Sequence, residues 1–134
     1  MRGAAAVVVG GLAEPAAART DATRVERPIF TVDGLDPAHD GLRIVQLSDL
    51  HCGASTPPQR IRDSIARANA LEPDLVVLTG DYLSRERSGV GLMRSLLGGL
   101  QAPTVAVLGN HDHWVDPRGA ARVLTSFGYA VLRN

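Results

Sequence analysis

The chain has 134 residues, the size of one compact domain with a core of its own. Its 14 basic side chains balance its 14 acidic ones, so no general field draws nucleic acid to the surface; no nucleic-acid partner is expected, and an anionic ligand must be attracted by a local site. A hydrophobic content of 45% excludes a disordered chain, and the single cysteine, Cys52, excludes an intrachain disulfide and leaves the redox compartment unread.

Arg2 precedes an apolar run of small residues at 3–13, and Ala16-Ala17-Ala18 follows. Charge, apolar stretch and small residues in that order have the outline of a secretory signal. The run is shorter than the roughly twenty residues needed to span a bilayer. Residues 1–24 therefore carry two readings, an export signal or membrane-anchor remnant and a weakly structured alanine-rich tail. Pro15, Pro28 and Pro37, with Asp33-Gly34 and Asp40-Gly41, cut the chain up to residue 40 into turns around one short strand at 29–32.

The remainder, 25–134, is one domain with a regular alternation. Apolar runs rich in Val, Ile and Leu at 42–47, 75–78 and 105–108 lack polar alternation, which predicts parallel strands buried on both faces. Between them, residues 57–71 place Ile61, Ile65, Ala68 and Leu71 on one helical face. Residues 90–100 do the same with Met93, Leu96, Leu97 and Leu100. A third helix at 118–127 leads to a fourth strand at 129–132. A repeat of about thirty residues is the length of a βαβ unit, so the predicted fold is α/β, a mostly parallel sheet with flanking helices.

Each of the three central strands ends in a polar cluster: Ser48-Asp49-Leu50-His51, Thr79-Gly80-Asp81-Tyr82, and Gly109-Asn110-His111-Asp112-His113. In open parallel sheets the carboxyl ends of the strands form the ligand crevice. Asp49, His51, Asp81, Asn110 and His111 are thus expected at one sheet edge. Carboxylate, imidazole and amide oxygen suit borderline-to-hard divalent ions, and no cysteine cluster suggests a structural zinc. One carboxylate can bridge two ions, and a pair about 3.5–4 Å apart can activate water while neutralising a phosphate.

Asp49-x-His51, Gly80-Asp81 and Gly109-Asn110-His111-Asp112 resemble the first three motifs of the calcineurin-like metallophosphoesterase superfamily, over residues 25–134. The flanking residues look most similar to its bacterial membrane-associated phosphohydrolases, which include UDP-2,3-diacylglucosamine hydrolase-like proteins. The resemblance implies the first half of a β-sandwich flanked by helices. It implies two divalent ions (manganese, iron or zinc) and hydrolysis of a phosphomonoester, phosphodiester or pyrophosphate bond by water activated between them. By the same resemblance Asp49 and His51 hold one ion, Asp81 bridges both, and Asn110 holds the other. Asn110 and His111 then contact the substrate, with His111 serving the leaving oxygen and Asp112 orienting it. The implied partner is a phosphate ester, a lipid or nucleotide-sugar among the options, and the implied location is a membrane surface or the cytoplasm. The family also uses a later histidine and a Gly-His-x-His pair. No histidine follows His113, so the chain reads as a truncated amino-terminal half with a second sheet missing and an apolar face left open.

Two other functions fit less of the sequence. A non-catalytic remnant with a partial metal site accounts for the missing histidines, and a receiver-type signalling or binding domain accounts for the fold but leaves Asn110-His111-Asp112 without a role. Outside the motifs, Cys52 reads as a buried filler, His39 as a solvated turn residue, and His113 and Trp114 as a loop histidine and a packed aromatic. Arg60, Arg62, Arg67, Arg85 and Arg87 read as solvated charges.

Overall fold

The computed structural model describes residues 2–11, 24–53 and 56–133. Pro15 and Ala16-Ala17-Ala18 lie outside the described residues. The apolar run that precedes them holds strand β1 (Arg2–Gly11), in place of a weakly structured tail. β1 pairs antiparallel with β2 (Ile29–Asp33) and parallel with β3 (Arg43–Ser48), satisfying its backbone groups on both sides. β4 (Leu75–Leu78), β5 (Thr104–Ala106) and β6 (Ala130–Val131) follow, giving the strand order β2-β1-β3-β4-β5-β6. Every pairing from β1 through β6 after the first is parallel, so the sheet is mostly parallel with flanking helices.

The helices are α1 (Pro58–Ala70), α2 (Gly89–Leu96), α3 (Asn110–Val115) and α4 (Pro117–Ser126). α1 starts where Pro58 fits the first turn without needing a donor. α4 starts at Asp116, whose carboxylate accepts from the Gly119 N–H at 2.8 Å, followed by Pro117. α1 touches α2, and α2 touches α4, so they form one layer. Three successive crossovers step the same way across the sheet and stack their helices on one face.

That face is the core. Val45 and Leu47 of β3, Val76 and Leu78 of β4, and Ala106 of β5 are buried against Ile61, Met93, Leu97, Val123 and Leu124. Each such side chain contributes about 1.5–3 kcal/mol through burial. The opposite face is different: Ile44, Gln46, Leu75, Val77 and Val105 are only half-buried, and Val107 is 38% exposed. The expectation of strands buried on both faces therefore gives way to one sealed face and one partly open face. Continuous apolar runs do not reveal this, because both faces carry Val and Leu.

Polar clamps fix the spacing of the layers. Asn69 at the end of α1 donates to the Gly99 carbonyl at 2.7 Å and accepts from the Gln101 N–H at 3.1 Å, holding the approach to β5. The Tyr129 hydroxyl donates to the Leu97 carbonyl at 2.6 Å, and the Tyr82 hydroxyl sits 2.7 Å from the Val107 carbonyl. Burial pushes both phenols above their ordinary range, Tyr82 with help from nearby Asp112.

The first residue of α2 lies directly on the loops that leave β3 and β4. A Cβ on Gly89 would stand 2.4 Å from the Cys52 carbonyl oxygen and 3.2 Å from Leu83 Cδ2. Gly89→Ala is therefore expected to destabilise the domain by about 1–3 kcal/mol through overpacking. A urea melt reads the effect as a lower midpoint with an unchanged slope; a midpoint equal to that of the unsubstituted chain would show that helix and loop are not in firm contact.

Candidate metal centre

The strand ends turn abruptly. Asp49, His51 and Asp81 all adopt left-handed backbone conformations, with φ of 56°, 43° and 55°. Such a conformation costs a non-glycine residue about 1–3 kcal/mol and persists only where the surroundings impose it. Here the imposing contacts are backbone hydrogen bonds that continue beyond the strands. The Asp49 N–H donates to the Gly80 carbonyl at 3.2 Å, that of His51 to the Asp81 carbonyl at 2.9 Å, and that of Cys52 to the Tyr82 carbonyl at 2.6 Å. The two turns are locked to each other.

The third strand end is joined to them by Asp112. This carboxylate is fully buried. Its Oδ2 accepts from the N–H groups of Asp81 and Gly109, and its Oδ1 from that of Leu83, each at 2.9 Å. Burial pushes the Asp112 carboxyl above its ordinary value, while the N–H groups of Gly109 and Leu83 pull it back down. The bond from Gly109 also caps α3, since Asp112 is the third residue of that helix. Close approach makes both neighbouring glycines necessary. A Cβ on Gly80 would fall 2.3 Å from the Gly109 nitrogen, and one on Gly109 would fall 2.1 Å from Asp81 Oδ1.

This frame gathers three ligand-type side chains. Donor atoms of Asp49, His51 and Asp81 all lie within 4.8 Å of one another, each residue half-buried. The imidazole orientation follows from its partner: His51 Nδ1 lies 3.2 Å from the Leu83 carbonyl, which can only accept, so Nδ1 donates there and Nε2 is turned away from it. Nε2 then faces Asp49 Oδ1 at 3.6 Å. A nitrogen and a carboxylate oxygen at that separation can share a cation between them. Donors about 2.0–2.2 Å from a first-row ion must lie within about 4.4 Å of each other, so a small inward turn of these side chains suffices for binding. The residues fit a divalent ion, with the backbone carbonyl behind His51 supplying the outer support such ligands need.

His111 and Asn110 complete the edge. The His111 N–H donates to Asp81 Oδ1 at 3.0 Å, and its ring meets the His51 ring edge-on, centroids 4.8 Å apart. Asn110, between Gly109 and His111, is exposed at the first position of α3. Asp112 stands elsewhere than expected. Both of its oxygens are taken by backbone N–H groups, and the His111 ring is held instead by the Ser84 carbonyl, 3.0 Å from Nδ1. A carboxylate next to a histidine in sequence points to the other side of a helix, so adjacency is a poor guide to pairing.

The remaining candidates also resolve. Cys52 is buried, and desolvation pushes its thiol up to about 12, so it fills space and does not react as a thiolate. His113 lies beside a separate cavity of about 440 Å³, with Val107, Leu108, Pro117 and Leu132 among its walls. Trp114 is not packed: it is 73% exposed and rests against His111. Sequence reading missed Ser84, whose carbonyl holds His111 and whose hydroxyl donates to the His51 carbonyl at 2.9 Å. It missed Leu83 as well, because a backbone carbonyl has no sequence signature.

Replacing Asp112 by Asn puts an amide NH₂ against at least one buried N–H donor. An unsatisfied buried donor costs about 1–3 kcal/mol, so Asp112→Asn is expected to lower stability by about 2–4 kcal/mol in urea melts. It should also weaken manganese binding without touching a ligand. A melt and a metal affinity both unchanged would mean that the three N–H bonds do not hold the site together.

Comparison with known proteins agrees with this geometry. Residues 42–133 match the calcineurin-like phosphoesterase family. The chain is 41% identical over 76 residues to the UDP-2,3-diacylglucosamine pyrophosphatase LpxG of Chlamydia muridarum, covering 54% of this chain and 23% of that protein. It is 35% identical over 111 residues to the transmembrane protein with metallophosphoesterase domain of Danio rerio, covering 77% and 24%. It is 36% identical over 98 residues to the phosphodiesterase YaeI of Escherichia coli, covering 69% and 36%. The chain thus spans 23% to 36% of the length of these relatives. No solved structure matches it. Since the matched span runs from the start of β3 past β6 and carries the whole Asp–His–Asp cluster, the chain belongs to the calcineurin-like phosphoesterase family.

Proposed function

We propose that this domain supplies the metal-holding half of a phosphoester hydrolase centre that cleaves the P–O bond of a monoester, diester or pyrophosphate. The observation that carries the proposal is the Asp49–His51–Asp81 cluster, with His51 Nε2 turned onto a carboxylate oxygen. When bound, divalent ions supply Lewis acidity, polarising phosphoryl oxygens and acidifying water. Carboxylate and imidazole donors suit manganese, iron or zinc.

The chain's own residues have distinct tasks. Asp49, His51 and Asp81 would hold one ion, and Asp81 with Asn110 would serve a second. Asp81 Oδ1 is already engaged by the His111 N–H, which ties the carboxylate that would serve both ions to the histidine that would meet the phosphate. His111 is fixed through Nδ1 on the Ser84 carbonyl, so its Nε2 is the atom free to carry a proton to the leaving oxygen. Asp112 keeps the three strand ends together and acts on the chemistry only through them. The relatives' names, a pyrophosphatase of a lipid-linked sugar nucleotide and a transmembrane protein, support a substrate and a working place at a membrane surface. No helix among the described residues is long and apolar enough to cross a membrane.

A second reading is a domain that holds one ion and does no chemistry. It is favoured by the cluster having three Asp and His donors, enough for a single ion with open positions. Manganese titration followed by hydrolysis of bis(p-nitrophenyl) phosphate separates the two. In the full-length protein the proposed hydrolase binds manganese and shows metal-dependent turnover, and Asp81→Ala loses both. His111→Ala keeps the metal and slows turnover by about 10²–10⁴, the usual worth of a positioned acid. Metal binding without any turnover supports the second reading. Equal manganese affinity in the original chain and Asp81→Ala sinks the site itself.

A further inference from the structure

Trp114 is the chain's single tryptophan, and it is 73% exposed. It lies three residues after His111 on α3, so both side chains share one helical face. Their ring centroids are 5.1 Å apart at a tilt of 46°. One side of the indole thus rests on His111, and His111 in turn abuts the ring of His51 at 4.8 Å. The three rings form a continuous row leading from the donor cluster to solvent.

The mount of this indole is rigid. α3 is only six residues long, but Asp112 ties it to the β4 turn through the N–H groups of Asp81 and Leu83, and Asp116 starts α4 directly after it. A large flat apolar surface held in water beside a site gains free energy when a ligand covers it. Stacking is the contact that such a face makes best, because any planar π system fits it without hydrogen-bond readout.

We propose, on the basis of the phosphoester hydrolase reading above, that Trp114 is the substrate platform of this site. It stacks the planar aromatic part of the ester, a nucleobase or an aryl group, while the phosphate lies against His111 and the donor cluster. Trp114 then selects among phosphoesters and takes no part in bond cleavage.

The single tryptophan makes this measurable by binding alone. With manganese saturating, AMP, phenyl phosphate and glycerol 2-phosphate are titrated calorimetrically into the original chain, Trp114→Phe and Trp114→Ala, and indole emission is followed in the original chain. The expected result is that AMP and phenyl phosphate bind more tightly than glycerol 2-phosphate and quench the indole, which glycerol 2-phosphate leaves unquenched. Trp114→Ala should weaken AMP and phenyl phosphate by about tenfold or more while shifting glycerol 2-phosphate less than twofold, with Trp114→Phe in between. AMP tight with phenyl phosphate weak assigns a nucleobase; the two equal assigns any aryl group. Equal affinity for all three esters, or an equal loss of all three in Trp114→Ala, overturns the platform and leaves the hydrolase reading standing. Failure of every ester to bind overturns the hydrolase reading and the platform with it. A blue shift of emission on phosphatidylglycerol vesicles, without preference for AMP, overturns the proposal by assigning the indole to a lipid surface.

Discussion

The Asp112 carboxylate is the point from which the rest of the site is positioned. Three N–H groups, from Asp81, Leu83 and Gly109, converge on it in a region with no access to water. Bonds of this kind are charge-assisted, and burial makes losing any of them costly. They draw the chain after β4 and the chain after β5 into contact, close enough that Gly80 and Gly109 meet backbone to backbone. Leu83, once held, offers its carbonyl to His51, and Ser84 next to it offers its carbonyl to His111. Both imidazoles are therefore oriented by a segment that Asp112 immobilises.

Backbone strain and side-chain chemistry serve the same end here. Asp49, His51 and Asp81 share a left-handed conformation that a strand would not tolerate. That conformation swings each side chain out of the sheet's pleat and over its carboxyl edge, where the alternation of a regular strand would have sent neighbours to opposite faces. The hydrogen bonds between the two turns spread the cost over a shared ladder. The outcome is a cluster preformed to within a small adjustment of coordination distance, with the two imidazole Nδ1 atoms already occupied. Preorganisation of this kind leaves the ligands little entropy to lose when an ion arrives.

The sheet is asymmetric in a way that matters for the site. Its helix-covered face carries the core, while the other face and the region around Val107 and Leu132 remain accessible, Leu132 at 55%. The donor cluster lies at the edge between them, half-buried, so its ligands are supported from the core side and open to solvent on the other. Trp114 extends from that open side, which places aromatic surface beside the histidines without burying either.

Sequence alone determined the order of the strands and of α1, α2 and α4 after residue 40, and the gathering of Asp49, His51, Asp81 and His111 at one edge. It could do so because parallel strands must be apolar, must alternate with helices, and must all end on the same side. It did not determine that residues 2–11 enter the sheet, since a run of Ala, Gly and Val has no periodicity to separate strand from tail. It did not reveal α3, whose six residues carry ligand-type side chains instead of an apolar stripe. Nor did it separate the roles of His111 and Asp112, which are adjacent in the chain. One points to the donors and the other into the core, and only the packing of α3 against the β4 turn decided which. The carbonyls of Leu83 and Ser84 were beyond sequence for a simpler reason: every residue has one, and the fold alone chooses which of them meets an imidazole.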